Sequence, residues 1–335
     1  MSKSKVKKQK RRDFWERNKK TNGYLLRRTI GDYTVRIIRA LLLFGLCFLI
    51  LQPLINKLSV SFMKEADLYD ATVISVPQHF TLENYRLINE LIGYWKCMWN
   101  SLWISLLVSA LQVAACTLVG YGFARFKFPL KRFWFACVIL VIIVPPQTIM
   151  SSLYLSFRYF DVFGIYGLIS GGKTINLQGS MLPYLMMCAT CMGLKCGLYI
   201  YMLRQYFRGI PKELEEAAYV DGCGNFQTFV RIMLPDAKAM ITSCFLFAFV
   251  WQWTDSFYTK MFLGDVEVLT KGLNSIAGRL DNFVRQTGAG LMASEAYLQQ
   301  QISTGILMTL APLILLYLFA QKGFVESLSQ TGIKM

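Results

Sequence analysis

The sequence predicts an all-α membrane protein of six transmembrane helices with both termini in the cytoplasm. Three observations carry that fold class. The 335 residues are 54% hydrophobic and 17% charged, where soluble chains average about 25% charged, and the mean hydropathy is +0.39. Six stretches are long and apolar enough to cross a hydrocarbon core of roughly 30 Å, which takes about 20 residues of helix. Lys and Arg gather in alternate connections: 25 of the 36 fall on one side of the expected membrane, as the positive-inside rule requires of cytoplasmic segments.

Residues 1–36 hold 13 Lys or Arg and few apolar residues, which predicts a solvated cytoplasmic tail held near anionic headgroups. The transmembrane domain then covers 37–335. Its spans are expected near 37–56, 100–123, 133–154, 181–203, 236–256 and 302–320. The first has no charge after Arg39. The third contains Pro145-Pro146, a kink or unwound turn that neighbouring groups must satisfy. The fifth carries charge only near its ends, at Asp236, Lys238 and Asp255. Net charge of +16 on a polar fold would suggest nucleic-acid binding; on this apolar chain it predicts topology instead, with no nucleic acid as partner.

Seven of the nine cysteines fall inside expected spans, where thiols pack as small apolar groups. Cys188, Cys191 and Cys196 have a metal-like spacing, but the single histidine, His79, lies elsewhere and Lys195 would repel a cation; no metal is expected. There is no Ser/His/Asp arrangement, Gly-Lys-Ser/Thr phosphate loop or paired-carboxylate site. The chain is therefore expected not to be an enzyme and to bind no cofactor of its own.

The connection between spans four and five, 204–235, is long and ordered in composition. Pro211 suits a first helical turn, Glu213, Glu215 and Glu216 favour its positive end, and Asp221-Gly222 ends it. A second helix follows from about Asn225, with Phe226, Phe229 and Val230 at helical spacing forming an apolar face that can dock.

In this loop Glu216-Ala217-Ala218, then Gly222, Ile232 and Leu234-Pro235 are spaced as in the signature of permease subunits of bacterial ATP-binding-cassette importers, which the chain resembles over about 37–334. The resemblance implies a type I importer permease fold in the plasma membrane, with the loop as a coupling helix seated in a cytoplasmic ATPase. Glu216, Ala217 and Ala218 would lie at the docking surface, Asp221 and Gly222 at the bend between the two helices, with Ile232, Leu234 and Pro235 closing the motif. Asn100-Ser101, Tyr121 to Pro129, Phe163-Gly164 with Gly167-Leu168-Ile169, Ile210 to Glu216 and Ile333-Lys334 are similar to carbohydrate importers of the maltose type, in particular the shorter of their two permease subunits. The implied partners are a second homologous permease, two ATPase subunits carrying ATP and Mg, an extracytoplasmic sugar-binding protein, membrane lipid and a sugar, expected to be an oligosaccharide. The sequence departs from that pattern at Thr254, where the family usually has Asn, and at an apparent insertion near 170–180.

For the sugar path, polar residues inside spans face the bundle interior by rule, and aromatics stack on sugar rings. The candidates are Lys195, Gln112, Trp251, Gln252, Trp253, Thr254 and Asp255. Each has a structural alternative: Trp at span ends as interfacial anchors, Lys195 paired with an acid of the partner permease, Asp255 as a helix cap. The loop 257–300 is either a docking surface for the binding protein or a lid on the chain itself. Rival functions are a related importer for polyamine, phosphate or peptide, and an ion-coupled secondary transporter. The latter would show intramembrane carboxylates or paired broken helices.

Overall fold

A computed structural model of the chain describes residues 19–21, 23–73, 76–161, 165–172, 174–264, 266–287 and 293–333. Phe163-Gly164, Lys334 and most of the basic tail lie outside them. Among the described residues the structure is helical, with an isolated antiparallel bridge between Phe160 and Ile175 and no strand. It divides into two units, Met1–His79 and Phe80–Met335.

The first unit is dominated by α1 (Tyr24–Ser61). Leu41, Phe44 and Ile50 are 66%, 73% and 71% exposed, and a helix apolar all round with nothing covering it within its own unit is one built for lipid. It starts at Tyr24 rather than near residue 37, so the last third of the expected tail is helical. Beyond it, the buried Asp67 carboxylate accepts from the His79 backbone N–H at 2.8 Å and faces the His79 ring nitrogen at 2.7 Å. Those contacts hold its carboxyl below the usual range.

The second unit contains α2 (Glu83–Ile92), α3 (Tyr94–Arg125), α4 (Lys131–Ile143), α5 (Met150–Arg158), α6 (Ile165–Ser170), α7 (Leu182–Ala189), α8 (Cys196–Gly209), α9 (Glu213–Val220), α10 (Asn225–Thr228), α11 (Leu234–Asp236), α12 (Lys238–Trp253), α13 (Phe257–Phe262), α14 (Leu269–Thr287) and α15 (Glu295–Ile333). The axis of this unit is α3, packed along α7, α8 and α12. Its buried stripe of Ser101, Ser105, Ser109, Cys116 and Gly120 explains how: small residues let backbones approach where no hydrophobic effect drives helices together. At Gly120 the approach is limiting, since a Cβ there would sit 2.9 Å from Leu203 Cβ.

Among the described residues three helices, α1, α3 and α15, are long and apolar enough to cross a membrane, or up to five if two bent pairs each count as one span. One pair is α4 with the segment 146–158, bent by 100° at the Pro145-Pro146 expected to break it; the other is 225–236 with α12, bent by 74°. The fourth expected span departs furthest. It is two helices, α7 and α8, separated at 190–195, where Cys191 and Lys195 adopt left-handed backbone (φ 59° and 60°). Gln112, buried on α3, donates from Nε2 to the Leu194 carbonyl inside that break. One orphaned backbone acceptor is thereby satisfied.

The 257–300 connection is mostly helical, as α13 and α14. Leu269, Ile276 and Leu280 are buried, the first two in a cluster with Ile88, Ile92, Phe249 and Trp253. Glu267, beside it, pairs with Lys96 at 3.1 Å, which holds its carboxyl below the usual range. α14 therefore packs on its own unit.

Candidate functional site: the coupling loop and the Lys195 cavity

The 204–235 loop forms the two helices its sequence predicts. Ordinary capping chemistry ends α9: Gly222 takes φ +83°, its N–H reaches the Tyr219 carbonyl at 3.1 Å, and the Cys223 N–H reaches that of Ala218 at 2.9 Å. This paired arrangement closes a helix at a left-handed glycine. After α10 the chain makes a π turn at Phe229–Met233 and then α11, carrying Leu234, Pro235 and Asp236.

The loop is bound to the rest of its unit at separate points. Glu215 is buried on α9; its Oε2 lies 3.3 Å from Arg125 Nε, and its Oε1 accepts from the Tyr121 hydroxyl at 3.1 Å. Arg125 also donates from Nη2 to the Ile210 carbonyl at 2.7 Å, bracing the chain just before α9. Aromatic packing holds the second half: the Phe229 ring lies 4.7 Å from that of Tyr121 and 6.5 Å from that of Phe207. Finally, the Tyr206 hydroxyl donates to the Asp236 carbonyl at 2.8 Å.

The helical period then sorts the signature. Glu215 and Ala218, three apart, face inward and are buried, so Ala218 lies under the surface on which it was expected. Glu216, Ala217, Asp221 and Gly222 are exposed, Ile232 and Leu234 are half-buried and Pro235 is exposed. Of the apolar face expected from the second helix, Phe229 turns into the core while Phe226 stays 76% exposed and Val230 40%. Val220, at 88%, joins them. The result is a surface with an acidic residue and large apolar side chains uncovered, mounted on a braced helix. Sequence reasoning missed Glu215, Arg125 and Tyr121 as a set, because about ninety residues separate the partners.

A second site lies at the other end of α12. A cavity of about 430 Å³ is lined by Pro145, Pro146, Gln147, Lys195, Trp251, Thr254 and Asp255, among others. Lys195 Nζ sits 4.9 Å from the centre of the Trp251 ring, a cation–π distance. Trp251 and Thr254 are exposed to the cavity side, and the Thr254 hydroxyl donates to the Val250 carbonyl at 2.9 Å. Asp255 is consumed locally: its carboxylate accepts from the backbone N–H groups of Phe257 and Thr259 and from the Thr259 hydroxyl, at 2.9–3.0 Å, capping α13. Gln252 and Trp253 do not reach this cavity. Gln252 is buried and accepts from the Tyr184 hydroxyl; Trp253 is 2% exposed and its Nε1–H donates to the Thr309 carbonyl at 3.2 Å. Of the six path candidates beyond Gln112, the structure brings four together and adds Gln147.

Known proteins supply the family. Residues 116–324 match the family described as "Binding-protein-dependent transport system inner membrane component". The chain belongs to it. The match spans the broken α7–α8 segment, both loop helices and most of α15, so the 204–235 loop and the Lys195 cavity lie within it. Among similar curated proteins are an arabinooligosaccharide transport permease of Halalkalibacterium halodurans, 26% identical over 86% of this chain and 93% of the relative, and a maltodextrin transport permease of Bacillus subtilis, 26% identical over 76% and 81%. In fold the chain is similar to a bacterial ABC transporter involved in import of the acidic polysaccharide alginate. That likeness has a TM-score of 0.67 and 18% identity, and covers 87% of this chain and 97% of the other.

Proposed function

We propose that this family member is one of two homologous permease subunits in an ATP-driven, binding-protein-dependent carbohydrate importer, with an oligosaccharide as cargo. It crosses the membrane six times, with α7–α8 as a broken fourth span and both termini cytoplasmic. ATP and Mg belong to two separate ATPase subunits; this chain supplies no chemistry. The names of the arabinooligosaccharide and maltodextrin relatives support the cargo class.

The observation that carries the coupling role is the pairing of an exposed face with a buried brace. Val220, Phe226 and Glu216 are free to seat in an ATPase cleft, while Glu215, on the opposite side of the same short helix, is fixed to Arg125 and Tyr121 of α3. Displacement of the docked helix is thus passed to α3, the helix that packs along α7, α8 and α12, rather than dissipated in a flexible loop. In the transport cycle, closure of the ATPase pair moves this helix, α3 follows, and the spans rock to open the pathway outward; hydrolysis resets it.

Lys195, Trp251, Thr254 and Gln147 line the sugar path. Trp251 offers a ring face for stacking and Lys195 a hydrogen-bond donor for hydroxyl or carboxylate oxygens. The buried Gln252 and Trp253 hold α12 in place and act on the path only through its shape. The assembly is tested by purifying the tagged chain from native membranes in mild detergent and measuring ATPase activity against a panel of sugars. Recovery of a second permease, an ATPase and a binding protein, with stimulation by one sugar class, is the expected result. Isolation of this chain alone under several detergents would return the secondary-transporter reading.

A further inference from the structure

A second group of cations lies at the end of α3 that carries Arg125, and no carboxylate pairs with them among the described residues. A cavity of about 530 Å³ between the end of α3, the start of α4 and the last turns of α8 is lined by Lys127, Lys131, Arg132, Arg204 and Arg208, with Phe123, Phe128 and Phe135 as its apolar walls. Its lining includes no carboxylate. Among the described residues none of the five cations forms an ion pair. Arg204 stacks over the Phe135 ring with its Cζ 3.7 Å from the ring centre, and its Nε is buried with no hydrogen-bond partner. Lys131 is turned toward the same space, donating to the Phe126 carbonyl at 2.7 Å with its Nζ 5.9 Å from the Phe128 ring.

Five like charges around one cavity repel one another, and a guanidinium fixed flat on a ring with an unsatisfied buried N–H is a fork waiting for an acceptor. Arg125 differs in having a carboxylate partner: it pairs with Glu215 at 3.3 Å and donates from Nη2 to the Ile210 carbonyl. We propose that this cavity binds a phosphate group, and that its source is the headgroup of an anionic phospholipid. The phosphate oxygens fit the Arg204 and Arg208 forks with Lys127, Lys131 and Arg132 around them. The lipid source is favoured by what continues from the cavity: α4 starts at Lys131 and presents Phe133, Trp134, Leu140, Val141 and Ile143 uncovered along its length, a path for acyl chains. Clusters of this kind between the ends of transmembrane helices recognise anionic headgroups. The site is independent of the cargo and of which face of the membrane it occupies.

The test is native mass spectrometry of the full chain in neutral detergent, titrated in separate arms with phosphatidylglycerol, with phosphatidylcholine and with inorganic phosphate. The expected result is binding of phosphatidylglycerol at least tenfold tighter than phosphatidylcholine, with inorganic phosphate displacing it only weakly. Arg204→Gln with Arg208→Gln should abolish the preference. Lys127→Gln with Arg132→Gln, which leaves the Phe135 packing untouched, should reduce it several-fold in a chain whose melting is unchanged. Tight binding of inorganic phosphate with no lipid preference, lost in the same variants, would keep the phosphate site and overturn its lipid source. Equal binding of both lipids, or a preference that survives both double variants, would overturn the site itself.

Discussion

In the 204–235 loop the buried charges are matched: Glu215 has Arg125 and Tyr121, and Arg125 has the Ile210 carbonyl as well. At the cavity beside α12 the arrangement is reversed, with Lys195 resting on the Trp251 face and, among the described residues, in no ion pair. Asp255 is close by in the lining but its oxygens are already taken by the start of α13. The charges that brace the loop are thus paired within the chain, although Arg125 Nε and the Thr228 hydroxyl make no hydrogen bond, whereas Lys195 at the cavity has no ion pair among the described residues. If that contrast is right, substitutions in the loop should act on stability and coupling, while substitutions around Lys195 should act on apparent affinity.

The largest expected effect is at the brace. Arg125→Ala or Glu215→Ala leaves the other charge buried and unpaired, which costs about 3–5 kcal/mol; detergent melting should fall and ATP-driven uptake should vanish. Exchanging the two, Arg125→Glu with Glu215→Arg, should recover part of the uptake, and no recovery would weaken the claim that their pairing is what matters. Next comes the exposed face. Val220→Asp or Phe226→Asp should cost about 2 kcal/mol of docking, the range of a strong interface contact, and reduce co-purification of the ATPase roughly thirtyfold with melting unchanged.

At the cavity, Trp251→Ala should raise the half-saturating sugar concentration about tenfold, since a ring contact is worth roughly 1.4 kcal/mol. Its neighbour Trp253 sharpens the comparison: Trp253→Phe removes the hydrogen bond to the Thr309 carbonyl and part of a buried ring, so it should lower stability by about 2 kcal/mol and leave affinity alone. The smallest effect is expected at the bend, where Gly222→Ala forces a Cβ into left-handed backbone for about 1 kcal/mol. Uptake should drop by a fraction only, whereas the charged Gly222→Asp or Glu216→Lys, placed on the docking face, should cut it severely while insertion stays intact.

Local chemistry explains which parts of this were readable beforehand. The spacing from Glu216 to Pro235 located the loop, the acidic first turn and Gly222 located its helices, and Pro145-Pro146 located a bend, because each signal is contained within a few residues. The Arg125–Glu215 pair was invisible for the opposite reason: its partners are far apart in the chain and neither is unusual where it stands. The break at 190–195 was also missed. It contains no proline, and its left-handed residues, Cys191 and Lys195, are types that give no such warning. The start of α1 at Tyr24 was hidden by the Lys and Arg around it, which suit a helix as well as a solvated tail. Part of the division of these candidates was within reach, since Trp251 and Thr254 are three apart and fall on one side with Gln252 and Trp253 elsewhere, whereas Asp255 lies beyond the end of α12.

The most direct test of the coupling role places a photo-crosslinking amino acid at position 220, on the exposed side of α9, in the assembled transporter. The account predicts an adduct with an ATP-hydrolysing subunit, lost when the crosslinker is moved to the buried position 218. An adduct with lipid alone, or none with any ATPase while transport is intact, would contradict it.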